Sequence, residues 1–171
     1  MDLLPFIRDI PNFPKPGIIF KDVTPLLKDA AAFRAAVDAL AAPYRHSAPD
    51  LITAVESRGF IFGAPVAERL GCGFVPMRKP GKLPAATARV EYVLEYGTDT
   101  IEVHRDAITE GVRVLVLDDV LATGGTAAAA GRLVQQLGGT VVGYAFLIEL
   151  GFLGGRSRLN GFPVDSVLIY P

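Results

Sequence analysis

Short apolar segments alternate with helical patterns along most of this chain. Phe33, Val37 and Leu40 recur at the spacing of one helix face and Asp29 precedes them as a candidate N-cap, so residues 29–44 predict a helix. Two more helices are predicted at residues 60–70 and 127–137. Apolar runs of strand length predict strands at residues 51–55, 74–77, 113–117, 141–147 and 167–170. Strands that alternate with helices predict an α/β fold, in which helices flank a mostly parallel central sheet.

Two segments depart from this alternation. Residues 78–106 begin with Pro, Gly and Lys, and alternating apolar residues such as Tyr92 and Ile101 then surround a centre at residues 96–97. This pattern predicts an antiparallel hairpin that extends over the sheet as a flexible lid. Residues 1–28 are irregular and apolar, with four prolines and three phenylalanines in the first 24 positions, and they predict a small N-terminal hood on the sheet.

The composition predicts one cytoplasmic domain. The 171 residues are 50% hydrophobic, which is enough for a core without disulfides, and Cys72 is the single cysteine. The 17 basic and 18 acidic residues give a net charge of -1, which argues against a nucleic-acid partner. No apolar run approaches the roughly 18 residues that span a bilayer, and acids and prolines interrupt the first residues, so we expect no membrane span and no signal peptide.

Residues 114–126, VLVLDDVLATGGT, carry the strongest chemical signal. The apolar run ends at Asp118 and Asp119, which places two carboxylates at the carboxyl end of a parallel strand, where open α/β sheets bind ligands. Residues 122–126 then offer consecutive backbone N–H groups before a helix, a nest that suits a phosphate dianion. The loop has no lysine, so a Walker-type nucleotide site is disfavoured. Two adjacent acids fit two ribose hydroxyls or a divalent cation; the plainer alternative is a strand end followed by a turn.

Two further segments predict a second anion site at the ends of neighbouring strands. Glu56, Ser57, Arg58 and Gly59 form a tight turn before a helix. Residues 78–82, RKPGK, place three cations within five positions, where they could neutralise a leaving pyrophosphate. RKPGK on its own would indicate a solvated loop, whereas its position after a predicted strand favours anion binding.

These motifs resemble those of a known enzyme family. LDDVLATGGT resembles the donor-binding loop of the type I phosphoribosyltransferases. ESRGF, MRKPGKLP, LEYGTDTIEVHRDAI and the opening PNFPKPGIIFKDVTPLL resemble the adenine-specific members over nearly the whole chain. The resemblance implies the type I phosphoribosyltransferase fold and the conversion of adenine and 5-phosphoribosyl 1-pyrophosphate to AMP and pyrophosphate in purine salvage. It also implies a homodimer and Mg²⁺ as cofactor, with the Mg²⁺ on the substrate pyrophosphate and no metal bound directly by site residues.

The resemblance implies roles for the motif residues. The catalytic residues would be Glu95, for proton transfer to the base, and Tyr96, which seals the site. Ribose and the 5-phosphate would be bound by Asp118, Asp119, Leu121, Ala122, Thr123, Gly124, Gly125 and Thr126. Pyrophosphate would be bound by Glu56, Ser57, Arg58, Gly59, Arg78, Lys79 and Lys82, with Arg78 able to reach across a dimer interface. Adenine would be bound by Ile19, Phe20 and Lys21, where the backbone reads the base and the Phe20 ring packs on its plane.

Several alternatives remain open at this point. Lys21 stands where the family often has arginine, and a lysine cannot make the same planar contacts. Glu91 and Glu102 share the hairpin with Glu95 and are rival proton-transfer groups. A regulator that senses the same donor and binds nucleic acid would need a basic surface. An enzyme for 6-oxopurines would need a lysine after the sheet, but the basic residues of the segment 149–158 are all arginines.

Overall fold

A five-stranded parallel sheet forms the centre of the fold, as seen in a computed structural model that describes residues 1–46, 49–94 and 97–171. All four neighbouring strand pairs are parallel. In spatial order the strands are β4 (Gly73–Met77), β3 (Leu51–Val55), β7 (Arg113–Leu121), β8 (Thr140–Leu150) and β9 (Val164–Tyr170). The prediction of a mostly parallel α/β sheet is therefore confirmed.

Helices cover both faces of this sheet. They are α1 (Thr24–Lys28), α2 (Ala30–Ala41), α3 (Arg58–Leu70) and α4 (Gly125–Gln136). Along β7, Leu115 and Leu117 join the core under α2 and α3, whereas Val114 and Val116 join the core under α4. Both faces of the strand are buried, which explains its unbroken apolar run. Among the described residues, no helix has the length and apolarity needed to cross a membrane.

The predicted helices are present, with shifted ends. The Asp29 carboxylate caps α2 by accepting hydrogen bonds from two N–H groups of its first turn, at 2.8 and 2.9 Å. The α-helix ends at Ala41 rather than Tyr44, because Pro43 has no N–H group to donate and a 3-10 turn follows. Helices α3 and α4 each begin two residues before their predicted starts, so their first turns include Arg58 and Gly125.

Strand β7 runs four residues beyond the predicted strand at 113–117. Asp118 pairs with Phe146 of β8, and Leu121 pairs with Glu149. Asp118 and Asp119 therefore belong to the last part of the strand and not to the loop after it. Backbone pairing with β8 continues past the two polar side chains of Asp118 and Asp119. The pattern of side chains in the sequence does not show this pairing.

An antiparallel hairpin lies over one edge of the sheet, as predicted. It consists of β5 (Thr87–Val93) and β6 (Thr98–His104). A bridge between Arg78 and Glu102 attaches it to the end of β4, with backbone hydrogen bonds of 2.9 and 2.7 Å. The inner face of the hairpin is apolar and packs against the core under α4.

A second hairpin lies near the N terminus. Its strands are β1 (Arg8–Pro11) and β2 (Ile19–Asp22). The Lys21 ammonium lies 3.9 Å from the centre of the Tyr170 ring, at the carboxyl end of β9. The segment predicted as a hood thus contacts the carboxyl edge of the sheet, where the predicted site residues also lie.

Candidate active site

The loop of residues 122–126 joins β7 to α4 at the carboxyl edge of the sheet. Gly124 is the N-cap of α4 and has a left-handed backbone, with φ of 80°. Among the described residues, no side chain caps the first N–H groups of this helix, and its first turn contains no acidic residue. The open N–H groups and the helix dipole both favour an anion at this position.

A second turn packs directly behind this loop. A Cβ atom on Gly124 would lie 2.4 Å from the carbonyl oxygen of Gly155, and one on Gly155 would lie 2.1 Å from that of Ala122. The two backbones therefore touch, and both positions require glycine. Sequence patterns do not predict this role for Gly155; the available signal is the pair of glycines at 154 and 155.

Asp118 and Asp119 present two carboxyl groups beside the loop. Asp119 is 3% exposed, and its backbone N–H donates to Asp118 Oδ1 at 2.9 Å. Arg58 Nε lies 2.8 Å from Asp119 Oδ2 without the alignment of a hydrogen bond, so this contact is a charge interaction. Burial raises the pKa of both carboxyls; the Asp119 charge raises that of Asp118 further, while Arg58 partly offsets the shift at Asp119. The pair would be stabilised by hydroxyl donors or by positive charge.

The loop and the carboxyl pair line one cleft. Arg58 and residues 118–127 bound a cavity of about 210 Å³. An adjoining cavity of about 330 Å³ shares Arg58 and both carboxyls, and it extends to Ser57 and Lys79. Together the two cavities reach the size of a small-molecule site. A larger open cavity, of about 610 Å³, lies between the β5–β6 hairpin and the end of α4. Of the described candidate site residues, only Glu102, a rival proton-transfer group, lines it.

Besides Arg58, two more of the predicted pyrophosphate cations are bound by acidic side chains of the chain itself. Lys79 Nζ contacts the Asp99 carboxylate. Burial alone would lower the pKa of Lys79, but the hydrogen bond to Asp99 raises it overall. Arg78 Nε donates to Glu56 Oε1 at 3.2 Å. The backbone N–H of Lys79 donates to the same oxygen at 2.7 Å and is the main cause of the lowered pKa of Glu56. A pyrophosphate would compete with Glu56 and Asp99 for these cations. Arg78 and Lys82 do not line the cleft described above.

The hairpin contributes two side chains to the cleft that sequence patterns do not predict. Tyr92 and Asp99 face each other across β5 and β6, and both line the larger cavity. The Tyr92 hydroxyl donates to Asp99 Oδ2 at 3.3 Å and accepts from Thr126 Oγ1 at 3.4 Å. In the sequence, Tyr92 has the pattern of a core residue and Asp99 that of an exposed strand charge. Their contacts connect the phosphate loop with Lys79.

The predicted catalytic residues Glu95 and Tyr96 lie outside the described residues. Their neighbours are described: the N–H of Leu94 donates to the carbonyl oxygen of Gly97 at 2.9 Å. Leu94 also lines the larger cavity. The proton-transfer role of Glu95 therefore stays a prediction.

The segment predicted to bind adenine has two environments. The Phe20 ring centre lies 5.1 Å from the guanidinium carbon of Arg58, which lines the cleft. Lys21 points away, with its ammonium 2.7 Å from Asp9 Oδ1. Ile19 and Lys21 line a separate, largely apolar cavity of about 540 Å³ with Leu150. Of these three residues, Phe20 is therefore the one whose side chain lies against a residue that lines the cleft.

The described residues offer limited support for a protein-bound metal. Among residues 1–46, 49–94 and 97–171, no group of three His, Cys, Asp or Glu side chains is placed to hold a metal ion. Asp118 and Asp119 supply two carboxyl groups. These could contribute to an Mg²⁺ ion that takes its remaining oxygen ligands from a phosphorylated substrate and water, as this ion commonly does.

Comparisons with known proteins agree with this geometry. The phosphoribosyl transferase domain family matches residues 26–158. The adenine phosphoribosyltransferase of Desulfitobacterium hafniense is 58% identical over 170 residues, which cover 99% of this chain and 98% of the relative. A crystal structure of the adenine phosphoribosyltransferase from Thermoanaerobacter pseudethanolicus superposes with a TM-score of 0.96 at 55% identity, covering 98% of each chain.

The agreement extends to a more distant enzyme solved with ligands. The adenine phosphoribosyltransferase of Saccharomyces cerevisiae, complexed with adenine and an imino-altritol bisphosphate, superposes with a TM-score of 0.91 at 44% identity, covering 96% of each chain. The match thus includes the hood and the hairpin as well as the central sheet. The chain belongs to the adenine phosphoribosyltransferase family.

Proposed function

We propose that this chain converts adenine and 5-phosphoribosyl 1-pyrophosphate to AMP and pyrophosphate, for purine salvage, in the cleft at the carboxyl edge of its sheet. The observation that carries the proposal is the order of groups in that cleft. The phosphate-binding loop comes first, then the buried carboxyl pair, and then the cations Arg58 and Lys79. This order matches the 5-phosphate, the ribose hydroxyls and the pyrophosphate of the donor.

The donor is bound by three sets of groups. Residues 122–126 and the N-terminal end of α4 bind the 5-phosphate through backbone N–H groups. Asp118 and Asp119 accept hydrogen bonds from the ribose hydroxyls. Ser57, Arg58 and Lys79 bind the pyrophosphate from the far side of the cleft.

The remaining cations complete the pyrophosphate site at its rim. Glu56 orients Arg78 and the Lys79 backbone, and Gly59 allows α3 to approach Asp118 closely. Arg78 and Lys82 act from outside the described cleft, with Arg78 reaching the site of the partner subunit in a homodimer. The oligomeric state in solution tests that assignment.

The reaction transfers the ribose C1 from a pyrophosphate oxygen to N9 of adenine. The C1–oxygen bond breaks as the N9–C1 bond forms, so the sugar ring becomes more positive in the transition state and the departing pyrophosphate keeps the electron pair. The carboxyl groups of Asp118 and Asp119 stabilise the positive ring, and Arg58 and Lys79 stabilise the leaving anion. A bound Mg²⁺ ion would add positive charge at the pyrophosphate. Glu95 takes the N9 proton, and Tyr96 closes the cleft to water.

Adenine binds between the hood and the cleft. The Phe20 ring packs on the base, and the backbone of Ile19 and Lys21 provides the hydrogen-bond partners for its edge. The exocyclic amino group of adenine requires an acceptor, which a backbone carbonyl supplies without any side-chain contact. Base recognition of this kind tolerates lysine in place of arginine at position 21.

The decisive experiment is formation of the corresponding nucleoside 5′-monophosphate by the purified protein with the donor and Mg²⁺, given adenine, guanine, hypoxanthine or orotate in separate reactions. We expect turnover with adenine alone. Turnover with another base would refute the role of residues 19–21, and a lack of turnover with every base would favour a donor-sensing regulator. Fractionation of the source cells would test the expected cytoplasmic location.

A further inference from the structure

The turn behind the phosphate loop is anchored by an ion pair between a buried carboxylate and a half-exposed arginine. Glu149, at the end of β8, is 6% exposed. Its Oε1 accepts from Arg156 Nε at 3.0 Å, and its Oε2 accepts from Arg156 Nη2 at 2.5 Å and from the Ser166 hydroxyl at 2.6 Å. The hydrogen bonds from Arg156 are the main cause of the lowered pKa of Glu149, so this carboxyl is ionised at neutral pH.

Arg156 also reaches the neighbouring strand. Its third hydrogen bond runs from Nη1 to the carbonyl oxygen of Val164, the first residue of β9, at 2.7 Å. The arginine lies in the 3-10 turn Gly155–Leu159, so it fixes that turn to the ends of two sheet strands. Leu159 secures the other end of the turn, since it is 2% exposed and belongs to the core under α4.

The anchored turn carries the backbone on which the phosphate loop rests. Gly155 immediately precedes Arg156, and its Cβ position would lie 2.1 Å from the Ala122 carbonyl oxygen and 2.9 Å from the Gly124 nitrogen. A displacement of Gly155 would therefore change the position of the loop, because the two backbones are in contact with no side chain between them. Neither Glu149 nor Arg156 lines the cleft.

We propose that Glu149 and Arg156 are positioning residues for the 5-phosphate loop, acting through the backbone of Gly155. This inference rests on the proposed assignment of residues 122–126 to the 5-phosphate. The pair holds the turn at the distance at which the loop presents its N–H groups to the phosphate. The contacts that the structure describes for this pair include none with the pyrophosphate end of the cleft. Its effect is therefore confined to one end of the donor.

Because the effect is confined to one end of the donor, ligand binding can distinguish positioning of the phosphate loop from a general contribution to fold stability. Ribose 5-phosphate probes the phosphate loop together with the carboxyl pair assigned to its hydroxyls, and inorganic pyrophosphate with Mg²⁺ probes the opposite end. Arg156→Gln removes the ion pair and keeps a polar side chain, whereas Arg156→Lys keeps the charge and loses the bidentate geometry. Arg69→Gln is the matched control, because Arg69 pairs with Asp38 at 2.6 Å on the outer surface of α3.

The experiment measures dissociation constants for both probes by calorimetry, together with thermal unfolding. We expect Arg156→Gln to weaken ribose 5-phosphate binding about tenfold or more, since a misplacement of about 1 Å can cost about a hundredfold in function. Pyrophosphate affinity should stay within about twofold of the wild-type value. Arg156→Lys should recover part of the loss, and Arg69→Gln should change neither affinity.

Three results would overturn the inference. Unchanged ribose 5-phosphate affinity in folded Arg156→Gln would refute it, and equal losses at both ends would show that the pair only stabilises the fold. If Arg156→Gln does not fold, Ser166→Ala and Arg156→Lys are measured instead, and a loss confined to ribose 5-phosphate is again required. Failure of the wild-type protein to bind ribose 5-phosphate would instead refute the assignment of the loop, and with it this role.

Discussion

Alanine at position 59 should impair donor binding while leaving the fold intact. Gly59 and Gly63 lie one turn apart on α3, and a Cβ atom on either would lie close to Ala54, at 3.2 and 3.1 Å respectively. Their other neighbours differ. The Cβ of residue 59 would lie 2.8 Å from Asp118 Oδ1, whereas that of residue 63 would lie 2.7 Å from the Phe74 ring. Gly59→Ala and Gly63→Ala thus form a matched pair in which only one variant disturbs the carboxyl pair.

The structure gives the size of each effect. Alanine in place of glycine favours a helix by about 1 kcal/mol. At position 59, the Asp118 carboxyl must move by about 0.6 Å to restore the 3.4 Å of ordinary contact, and a side chain can do so at little cost. The loss of one hydrogen bond between this carboxyl and a ribose hydroxyl is worth about 1.5–3 kcal/mol, or about tenfold to a hundredfold in donor affinity. At position 63 the ring cannot move freely, and overpacking of this kind costs about 1–3 kcal/mol of stability.

The assay combines thermal unfolding with the Kd for 5-phosphoribosyl 1-pyrophosphate, measured calorimetrically. Gly59→Ala should unfold within a few degrees of the wild type and bind the donor about tenfold or more weakly. Gly63→Ala should unfold earlier and, where folded, bind the donor normally. Wild-type donor affinity in Gly59→Ala would refute the role given to Asp118.

Three further predictions concern charges in and around the cleft. The double variant Asp118→Asn with Asp119→Asn should lose turnover, measured as AMP formation. The pKa values of these carboxyls are raised in the folded protein, so their ionisation destabilises the native state at neutral pH. The double variant should therefore also melt at a higher temperature than the wild type at pH 7. This difference in melting temperature should shrink as the pH falls into the usual pKa range of aspartate. Asp99→Asn frees Lys79 and should tighten pyrophosphate binding several-fold. Weaker binding in a calorimetric titration would contradict the idea that the Asp99 carboxylate and pyrophosphate compete for Lys79. Glu95→Gln should slow AMP formation in single-turnover kinetics more than it weakens donor binding, and an unchanged single-turnover rate would remove Glu95 from proton transfer.

The sequence predicts the central sheet and the position of the cleft for one physical reason. A strand buried on both faces is apolar throughout, so the change from Leu117 to Asp118 marks where β7 reaches the carboxyl edge of the sheet. The carboxyl ends of neighbouring parallel strands meet at that edge, which brings Arg58 and Lys79 to the same cleft as Asp118. The family match then supports the chemistry that these groups suggest.

The features that sequence patterns miss depend on distant partners. The end of β7 is set by its pairing with β8, a backbone property that side-chain alternation does not show. The partnership of Lys79 with Asp99 and the support of Gly124 by Gly155 join residues that are 20 and 31 positions apart, respectively. Neither pair has a local pattern that would distinguish it from a surface charge or an ordinary turn.

The contact between Gly124 and Gly155 affects how mutational data on this enzyme should be interpreted. Since backbone meets backbone there, no neighbouring side chain can shrink to accommodate a larger residue at either position. A saturation scan would therefore find position 155 as intolerant as position 124, although Gly155 does not line the cleft. If the active site were inferred from this intolerance alone, it would wrongly include Gly155, which belongs to the turn that supports the phosphate loop.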